Sequence, residues 1–475
     1  MPRAKVSDAA RDRRVTTGVK GLDDVLNGGI PAGSTVFVTG LPGSGKTVLT
    51  QQISWANARR GEPVLYLSTL SEPAIKSIRY ASDFDFFDND LVGTGVVYGE
   101  IGSILKTDGP AAALADIDRR VKNLRPAVLV IDSFKVIREL FEEAVSFRAF
   151  TTELVVKLSL WGITAILVGE YTDEDIGTKP EFAIADGIIY LHGTEEGLRQ
   201  ERRLRLMKMR GTDLFGGDHV FEINPAGIIL YPRMRPDVVG EYRAPNRRIL
   251  SAIEGLDDML GGGIFDSTSL LIYGSAGSGK TLTALSFLVG AAREGTAGLL
   301  VTLEESGQQV LRNSKAFDWD IEEHAANGRL DILHVSPSEL NLDRHAAIIK
   351  DSVRDKKASL VVIDSISALE ASVISVEKYY AYLWAINDHF KRSGVTVVAT
   401  CELAAFTLAQ TEQARRVSLF ADTTIVVRTA DAGGQSPRTI SIVKMRGSSH
   451  DTTARELVIE PPNIRVGEMI ASAGS

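Results

Sequence analysis

Two glycine-rich segments of the chain have the residue types and the spacing that bind phosphate. Residues 40–47 and 274–281 both fit the pattern G-x-x-x-x-G-K-[ST]. Each follows a short apolar run and precedes a helix-like stretch, which is the strand–loop–helix setting that this chemistry needs. Glycine lets backbone N–H groups close around phosphate oxygens, and the helix N-terminus adds partial positive charge. We therefore predict two sites for a nucleoside triphosphate.

Within each segment, the side chains divide the contacts to a metal–nucleotide complex. The lysine is expected to reach the β- and γ-phosphates, and the threonine is expected to hold Mg²⁺. ATP and Mg²⁺ are therefore the predicted cofactors. The predicted nucleotide-binding residues are Gly43, Ser44, Gly45, Lys46, Thr47, Gly277, Ser278, Gly279, Lys280 and Thr281.

An aspartate ends an apolar run downstream of each segment. Asp132 follows residues 128–131, and Asp364 follows residues 360–363. Aspartate also caps helices, but the pairing with an upstream phosphate-binding loop in both halves favours a carboxylate that holds the water shell of Mg²⁺. The predicted metal-binding residues are Thr47, Asp132, Thr281 and Asp364.

A pair of carboxylates distinguishes the second half from the first. Glu304 and Glu305 follow an apolar run, and the aligned segment of the first half ends in Ser71 and Glu72, with Ser71 at the position of Glu304. Adjacent carboxylates raise one pKa, which suits a base that polarises a water or hydroxyl for attack on the γ-phosphate. We predict Glu304, Glu305 and Glu72 as catalytic residues. We also expect a functional difference between the halves rather than chance variation of surface glutamates.

A cationic tetrad, Lys-Met-Arg-Gly, occurs late in each half. Its cations are Lys208 and Arg210 in the first copy and Lys444 and Arg446 in the second. Positions i and i+2 of a strand share one face. An edge strand uses such cations for solubility, but repetition of the tetrad favours a contact with the nucleotide of a neighbouring subunit.

The two halves form a tandem repeat of a whole domain. Lys280 follows Lys46 by 234 residues, and Lys444 follows Lys208 by 236. We predict an N-terminal tail over residues 1–14, a first domain over 15–235 and a linker over 236–246. The second domain is predicted over 247–470 and a short C-terminal tail over 471–475.

Short apolar runs predict five strands in each half. They cover 36–40, 64–68, 128–132, 164–168 and 187–191, then 270–274, 298–303, 360–364, 396–400 and 423–427. Unbroken apolar runs are typical of parallel sheets with helices on both faces. We predict an α/β fold of two tandem P-loop domains, each with a mostly parallel sheet that binds its ligand at the carboxyl ends of the strands.

Composition and net charge argue against some classes of protein. The 475 residues carry a net charge of −8, and no long basic stretch appears, which argues against a nucleic-acid partner. The basic cluster at 199–205 is interpreted as a solvated strand edge. No run approaches the roughly 18 apolar residues of a membrane span. The single cysteine, Cys401, cannot form an internal disulfide, which fits the reducing cytoplasm.

Together these residues resemble the KaiC family within the RecA-like ATPases, over nearly the whole chain. The resemblance rests on the Gly-Leu-Asp-Asp lead-ins at 21–24 and 255–258, the two P-loops, the Glu304–Glu305 pair, the strand-ending aspartates and the two cationic tetrads. It implies a double-ring homohexamer of RecA-like domains with ATP between subunits. ATP hydrolysis is implied in the first ring, and serine/threonine autokinase and autophosphatase chemistry in the second. Lys208, Arg210, Lys444 and Arg446 match family residues that contact ATP from the adjacent subunit, and a KaiB-like or other signalling protein is an implied partner.

The chain also departs from the family pattern. Ser418 is retained at the family's phosphorylated pair, but Leu419 replaces the threonine, so phosphorylation is expected at Ser418 alone. Ser71 replaces a glutamate, which puts hydrolysis at the first site in question. We also expect that the long C-terminal tail with which the clock protein engages its activator is largely absent after Ile470. We therefore expect a homologue of the oscillator protein rather than the oscillator itself.

Two other functions fit parts of the pattern. One is a DNA-dependent ATPase of the broader RecA-like class, which the acidic net charge disfavours. The other is an ATP-gated scaffold for signalling partners with little turnover. Stimulation of turnover by single-stranded DNA would support the first, and assembly on ATP with negligible hydrolysis would support the second.

Overall fold

The computed structural model describes residues 13–69, 74–196, 199–235, 245, 247–336, 340–371, 373, 375–402, 420–429 and 437–470. Contacts divide the chain into two units, Met1–Arg233 and Met234–Ser475. Of the predicted linker 236–246, residue 245 alone is described.

The first unit alternates strands and helices. Its strands are β1 (Arg14–Val15), β2 (Ile30–Pro31), β3 (Thr35–Gly40), β4 (Val64–Ser68), β5 (Val96–Glu100), β6 (Val128–Asp132), β7 (Thr164–Gly169), β8 (Gly187–Glu196), β9 (Arg199–Met209), β10 (Asp218–Asn224) and β11 (Gly227–Tyr231). Its α-helices are Leu22–Val25, Lys46–Arg59, Ala74–Ala81, Gly102–Thr107, Pro110–Leu124, Phe134–Glu139, Ala144–Trp161 and Asp173–Thr178, with 3-10 turns at Asn89–Leu91 and Pro180–Ala183.

The second unit repeats this order. Its strands are β12 (Arg248–Ile249), β13 (Ile264–Phe265), β14 (Ser269–Gly274), β15 (Gly298–Thr302), β16 (Leu330–His334), β17 (Leu360–Asp364), β18 (Thr396–Glu402), β19 (Thr423–Thr429), β20 (Arg438–Met445), β21 (Arg455–Glu460) and β22 (Asn463–Met469). Its helices are Leu256–Met259, Lys280–Arg293, Gly307–Ser314, Ile321–Ala326, Leu342–Lys356, Ile366–Ala371 and Val376–Arg392.

Each unit has one large, mostly parallel sheet. The first runs β11-β10-β9-β8-β3-β7-β6-β4-β5, and the second runs β16-β15-β17-β18-β14-β19-β20-β21-β22. In the first sheet, the neighbours in the part β8-β3-β7-β6-β4-β5 pair in parallel. In the second sheet, the neighbours in the part β16-β15-β17-β18-β14-β19 pair in parallel. The remaining neighbours in both sheets pair antiparallel. The predicted α/β fold of two RecA-like domains is confirmed, and each of the ten predicted strands falls on an observed one.

The apolar runs form strands because both faces of each sheet are covered. In β3, Val36 and Val38 belong to one buried cluster and Phe37 belongs to another on the opposite face. In β14, Ile272 likewise belongs to one buried cluster and Tyr273 to the cluster on the opposite face. Burial of such a side chain stabilises the fold by roughly 1.5–3 kcal/mol. A strand of alternating apolar and polar residues would lack this stabilisation on one face of the sheet.

The basic strand β9 is not a sheet edge. It lies between β8 and β10, as β20 lies between β19 and β21. The interpretation of residues 199–205 as a solvated edge is therefore wrong, because further antiparallel strands extend the sheet. Carboxylates neutralise the cluster: Arg203 pairs with Glu201 at 2.7 Å, and Arg205 pairs with Asp218 at 2.7 Å.

Candidate nucleotide sites

The first phosphate-binding loop joins β3 to the helix Lys46–Arg59. Gly43 and Gly45 have φ angles of 74° and 100°, and a Cβ on Gly45 would lie 2.9 Å from Ile223 Cδ1. Glycine is required at Gly45 both for its backbone angle and for this packing. Because the helix begins directly after Gly45, its unpaired N–H groups and its positive dipole end face the loop.

The loop lysine of the first domain is buried beneath its own loop. Lys46 Nζ donates hydrogen bonds to the carbonyl oxygens of Gly40 and Leu41 at 3.0 and 2.8 Å. Burial lowers the pKa of Lys46, while the charges of Glu170 and Asp132 oppose this shift. The ammonium group therefore sits among acceptors that phosphate oxygens can replace.

The predicted metal-binding pair of the first domain is in direct contact. Thr47 Oγ1 donates a hydrogen bond of 3.0 Å to Asp132 Oδ2, and the hydroxyl of Tyr66 donates to the same oxygen at 2.9 Å. Burial, followed by the charge of Asp132, raises the pKa of Tyr66, so the phenol stays protonated and acts as a donor. Tyr66 thereby fixes the carboxylate against the loop.

The second domain repeats this geometry with a different supporting residue. Lys280 Nζ donates to the carbonyl of Ser275 at 2.7 Å, and Thr281 Oγ1 donates to Asp364 Oδ2 at 2.9 Å. The hydroxyl of Thr400 donates to the other oxygen, Asp364 Oδ1. Strand β18 therefore fixes Asp364, whereas β4 fixes its counterpart in the first domain.

These residues fit a magnesium–nucleotide complex. Each site joins one threonine hydroxyl and one carboxylate. No cluster of three or more His, Cys, Asp or Glu side chains suited to a metal occurs within the described part of the chain. Mg²⁺ is commonly held by one or two protein oxygens and takes its other ligands from water and phosphates. When bound, the ion would neutralise charge on the β- and γ-phosphates.

A cavity of about 470 Å³ opens at the first site. Its walls include the loop glycines, Lys46, Thr47, Asp132 and Glu170. This volume lies within the range of small-ligand pockets. The cavity therefore joins the phosphate-binding loop, the metal pair and an additional carboxylate in one space.

The two catalytic candidates of the second domain contact different partners. Ser365 Oγ donates a hydrogen bond of 2.7 Å to Glu304 Oε1. Glu305 accepts from Asn313 Nδ2 at 3.4 and 3.5 Å, on the helix Gly307–Ser314. Burial first, and the charge of Glu304 to a smaller extent, raise the pKa of Asp364. Glu304 therefore lies beside the metal site, whereas Glu305 turns toward the helix.

Sheet register identifies equivalent positions in the two domains. Ser68 and Thr302 each pair with the aspartate that ends the neighbouring strand, β6 or β17. Residues 70–73 lie outside the described part of the chain, so the alignment of Ser71 with Glu304 stays a prediction.

Two predicted site residues lie outside the described part of the chain. Glu72 belongs to the gap at residues 70–73, and Ser418 belongs to the gap at residues 403–419. Their roles as a catalytic residue and as a phosphorylation site remain predictions.

The cations of the first tetrad lie at the amino end of the sheet. Arg210 bonds to Asp186 through its backbone N–H at 2.8 Å and its guanidinium at 3.3 Å, and Asp186 bonds to Thr35 at the start of β3. The phosphate-binding loop leaves the other end of β3 at Gly40. Five residues of strand span about 16 Å. Lys208 and Arg210 are thus remote from the loop of their own domain.

The second tetrad has the same position. Lys444 Nζ donates to the carbonyl of Ala421 at 2.6 Å, and Arg446 lies 3.8 Å from Asp422, which bonds to Ser269 at the start of β14. Burial first, and then the charge of Arg446, lower the pKa of Lys444. The Arg210 and Arg446 side chains are 63% and 59% exposed, so both are accessible from outside their domain.

Sequence reasoning missed the residues that support each site. Tyr66 and Thr400 lie inside predicted strands and carried no separate signal. Glu170, which lines the cavity of the first site, lies two residues after the end of the predicted strand 164–168. A carboxylate at a strand end is the signal that identified Asp132, so Glu170 could have been found in the same way.

Fold and sites together define a tandem P-loop ATPase, with a phosphate-binding loop and a strand-ending aspartate in each of two parallel sheets. The family model described as the KaiC ATPase matches residues 15–235 and 249–470. The chain belongs to the KaiC family.

Curated relatives agree with this assignment. The circadian clock oscillator protein KaiC of Thermostichus vulcanus is 30% identical over 463 residues, covering 95% of this chain and 88% of the relative. The KaiC of Rippkaea orientalis is 29% identical over 460 residues, covering 94% and 87%. KaiC 1 of Synechocystis is 28% identical over 467 residues, covering 95% and 89%.

Among the described residues, no helix has the length and apolar character needed to cross a membrane.

Proposed function

We propose that both domains bind Mg-ATP and that the chain is a cytoplasmic ATP hydrolase with a regulatory role. The observation that carries this proposal is the repeated contact between the loop threonine and the strand-ending aspartate, at 3.0 Å in the first domain and 2.9 Å in the second. The contact brings both predicted magnesium ligands beside the phosphate-binding loop. Substitution of the loop lysine, Lys46→Ala or Lys280→Ala, tests each site separately through ATP affinity and phosphate release.

A homohexameric double ring with ATP between subunits completes the proposal. Lys208, Arg210, Lys444 and Arg446 support it, because they lie at the opposite end of the sheet from their own loop and the two arginines are exposed. A neighbouring subunit in a ring can bring such cations to the nucleotide and stabilise charge on the transferred phosphoryl group. Native mass spectrometry with and without Mg-ATP measures the stoichiometry and the nucleotide content.

Autophosphorylation in the second domain is the finer part of the proposal. Glu304 supports it, because its hydrogen bond to Ser365 holds a carboxylate next to the metal-binding aspartate. The acceptor is Ser418. Incubation with Mg-ATP should add one phosphate per chain at Ser418, and Glu304→Gln should abolish it. Ser418→Ala is the matched control, since it removes the acceptor and leaves ATP turnover intact. Phosphate-free protein with full turnover would reduce the proposal to an ATPase.

The relatives suggest the biological setting. Their printed names describe circadian clock oscillator proteins. For this chain we propose an ATP-driven regulatory device that signals through a KaiB-like or other signalling protein. A pull-down with Mg-ATP, compared with the Lys280→Ala variant, tests whether partner capture depends on the second nucleotide site.

A further inference from the structure

Glu170 is a carboxylate of the first cavity for which the family assignment supplies no role. It follows β7, which lies between β3 and β6 in the sheet. Gly169 pairs with Thr39, one residue before the phosphate-binding loop, and Val168 pairs with Asp132. The backbone therefore places Glu170 between the phosphate-binding loop and the metal-binding carboxylate of Asp132.

The Glu170 side chain is available for chemistry. It is exposed and lines the cavity together with Lys46. Among the charges that act on the Lys46 ammonium, that of Glu170 is the strongest. Within the described residues, its carboxylate makes no hydrogen bond or ion pair. A charged group that faces a cavity without a structural partner is a candidate for contact with a ligand.

The second domain has carboxylates on both sides of its metal-binding strand. In the second domain, Glu304 approaches from the β15 side and is held by Ser365. On the other side, Glu402 of β18 pairs with Gly274 and stands at the position equivalent to Glu170. In the first domain, Glu170 approaches from that same side, next to β6. Within the described residues, Glu170 is thus the carboxylate that joins Asp132 in lining the first cavity.

We propose that Glu170 is the general base for ATP hydrolysis in the first domain. The proposal rests on the proposed function, since it requires Mg-ATP at this site. The Glu170 carboxylate accepts a proton from a water molecule as the water oxygen bonds to the γ-phosphorus. The bond from that phosphorus to the β,γ-bridging oxygen breaks, and its electron pair leaves with ADP. The proton then passes from Glu170 to solvent.

The experiment uses the full chain with Lys280→Ala, so that turnover reports the first site. Glu170→Gln in this background should lower kcat by about 100-fold or more and leave the Kd for Mg-ATP within about twofold. Glu170→Asp should recover part of the rate. Glu402→Gln at the equivalent position of the second domain is the matched control and should leave the rate unchanged.

Three outcomes would overturn the proposal. The first is a Glu170→Gln variant that keeps its rate, particularly if Glu72→Gln abolishes turnover. The second is a loss of Mg-ATP affinity that matches the loss of rate, which indicates a structural role. The third is a Lys280→Ala protein that shows no turnover, or only turnover that persists when Lys46→Ala is added. In that case ATP binding and Ser418 phosphorylation in the Lys46→Ala protein would show that the proposed function stands without this base.

Discussion

Ser365 donates a hydrogen bond of 2.7 Å to Glu304, and this contact joins the strand-ending aspartate of the second domain to its nearest catalytic candidate. Ser365 is the residue after Asp364, so the same turn that positions the metal-binding carboxylate also orients Glu304. The first domain has Ser133 at the equivalent turn, and its residues 70–73 lie outside the described part of the chain. The two sites therefore share the contact between threonine and aspartate, and in the second site this turn also holds Glu304.

Ser365→Ala is expected to lower the rate of phosphoryl transfer in the second domain by about tenfold and to leave Mg-ATP affinity nearly unchanged. The reason is that the variant frees Glu304 without altering Thr281 or Asp364, and misplaced catalytic groups lose rate rather than binding. Single-turnover measurement with radiolabelled ATP gives both quantities. Ser133→Ala is the control; an equal effect of that change on its own site would show that the serine acts through the backbone turn.

Tyr66→Phe is expected to weaken magnesium binding in the first domain by about 10–100-fold, as is typical for loss of a residue that orients a metal ligand. The change removes the donor that fixes Asp132 and retains the aromatic ring in the core. Magnesium titration of fluorescent-nucleotide binding in the Lys280→Ala background measures it. Thr400→Val in the Lys46→Ala background is the corresponding test of the second site. Unchanged titrations would mean that Tyr66 does not orient Asp132.

Mixing two inactive variants tests whether the second tetrad acts between subunits. Lys280→Ala removes the loop lysine of one subunit, and Arg446→Ala removes the cation that we expect to reach the adjacent nucleotide. Each homo-oligomer should lose phosphoryl transfer by about 10³-fold or more. Mixed rings contain some interfaces with both an intact loop and an intact Arg446, so activity should partly return. Mixtures that stay as inactive as either parent would show that Lys280 and Arg446 act within the same subunit.

A buried histidine predicts acid sensitivity of the second domain. His345 Nδ1 lies 2.6 Å from the hydroxyl of Tyr382, and burial lowers the pKa of His345 to about 4. The unfolded chain has an ordinary pKa near 6.5, so it binds a proton more readily than the folded domain does. The stability present above about pH 6.5 should therefore fall as the pH drops toward 4, by up to about 3 kcal/mol.

Thermal unfolding between pH 7.5 and 4.5 measures this effect. His345→Phe should flatten the decline, since the equivalent residues of the first domain, Ala113 and Phe150, both belong to a buried hydrophobic cluster. Tyr382→Phe keeps the imidazole and should keep the decline. An identical slope in all three proteins would assign the acid sensitivity to other groups.

The sequence by itself determined the fold class, the duplication and the residues of both phosphate-binding loops. These features are local: strand periodicity is read over five residues, and the loop chemistry lies within eight consecutive positions. The pairing of Thr47 with Asp132 was also predictable, because parallel strands bring their carboxyl ends to one edge of the sheet.

Tertiary structure decided where each candidate carboxylate lies. Glu304 and Glu305 are adjacent in the chain, yet one faces Ser365 and the other faces Asn313. Sheet order, which joins strands distant in sequence, put Glu170 between the loop and Asp132. The register of β4 against β6 and of β15 against β17 put Ser68 and Thr302 at equivalent positions. A shift of one residue reverses the face of a strand, so these assignments required the paired sheet.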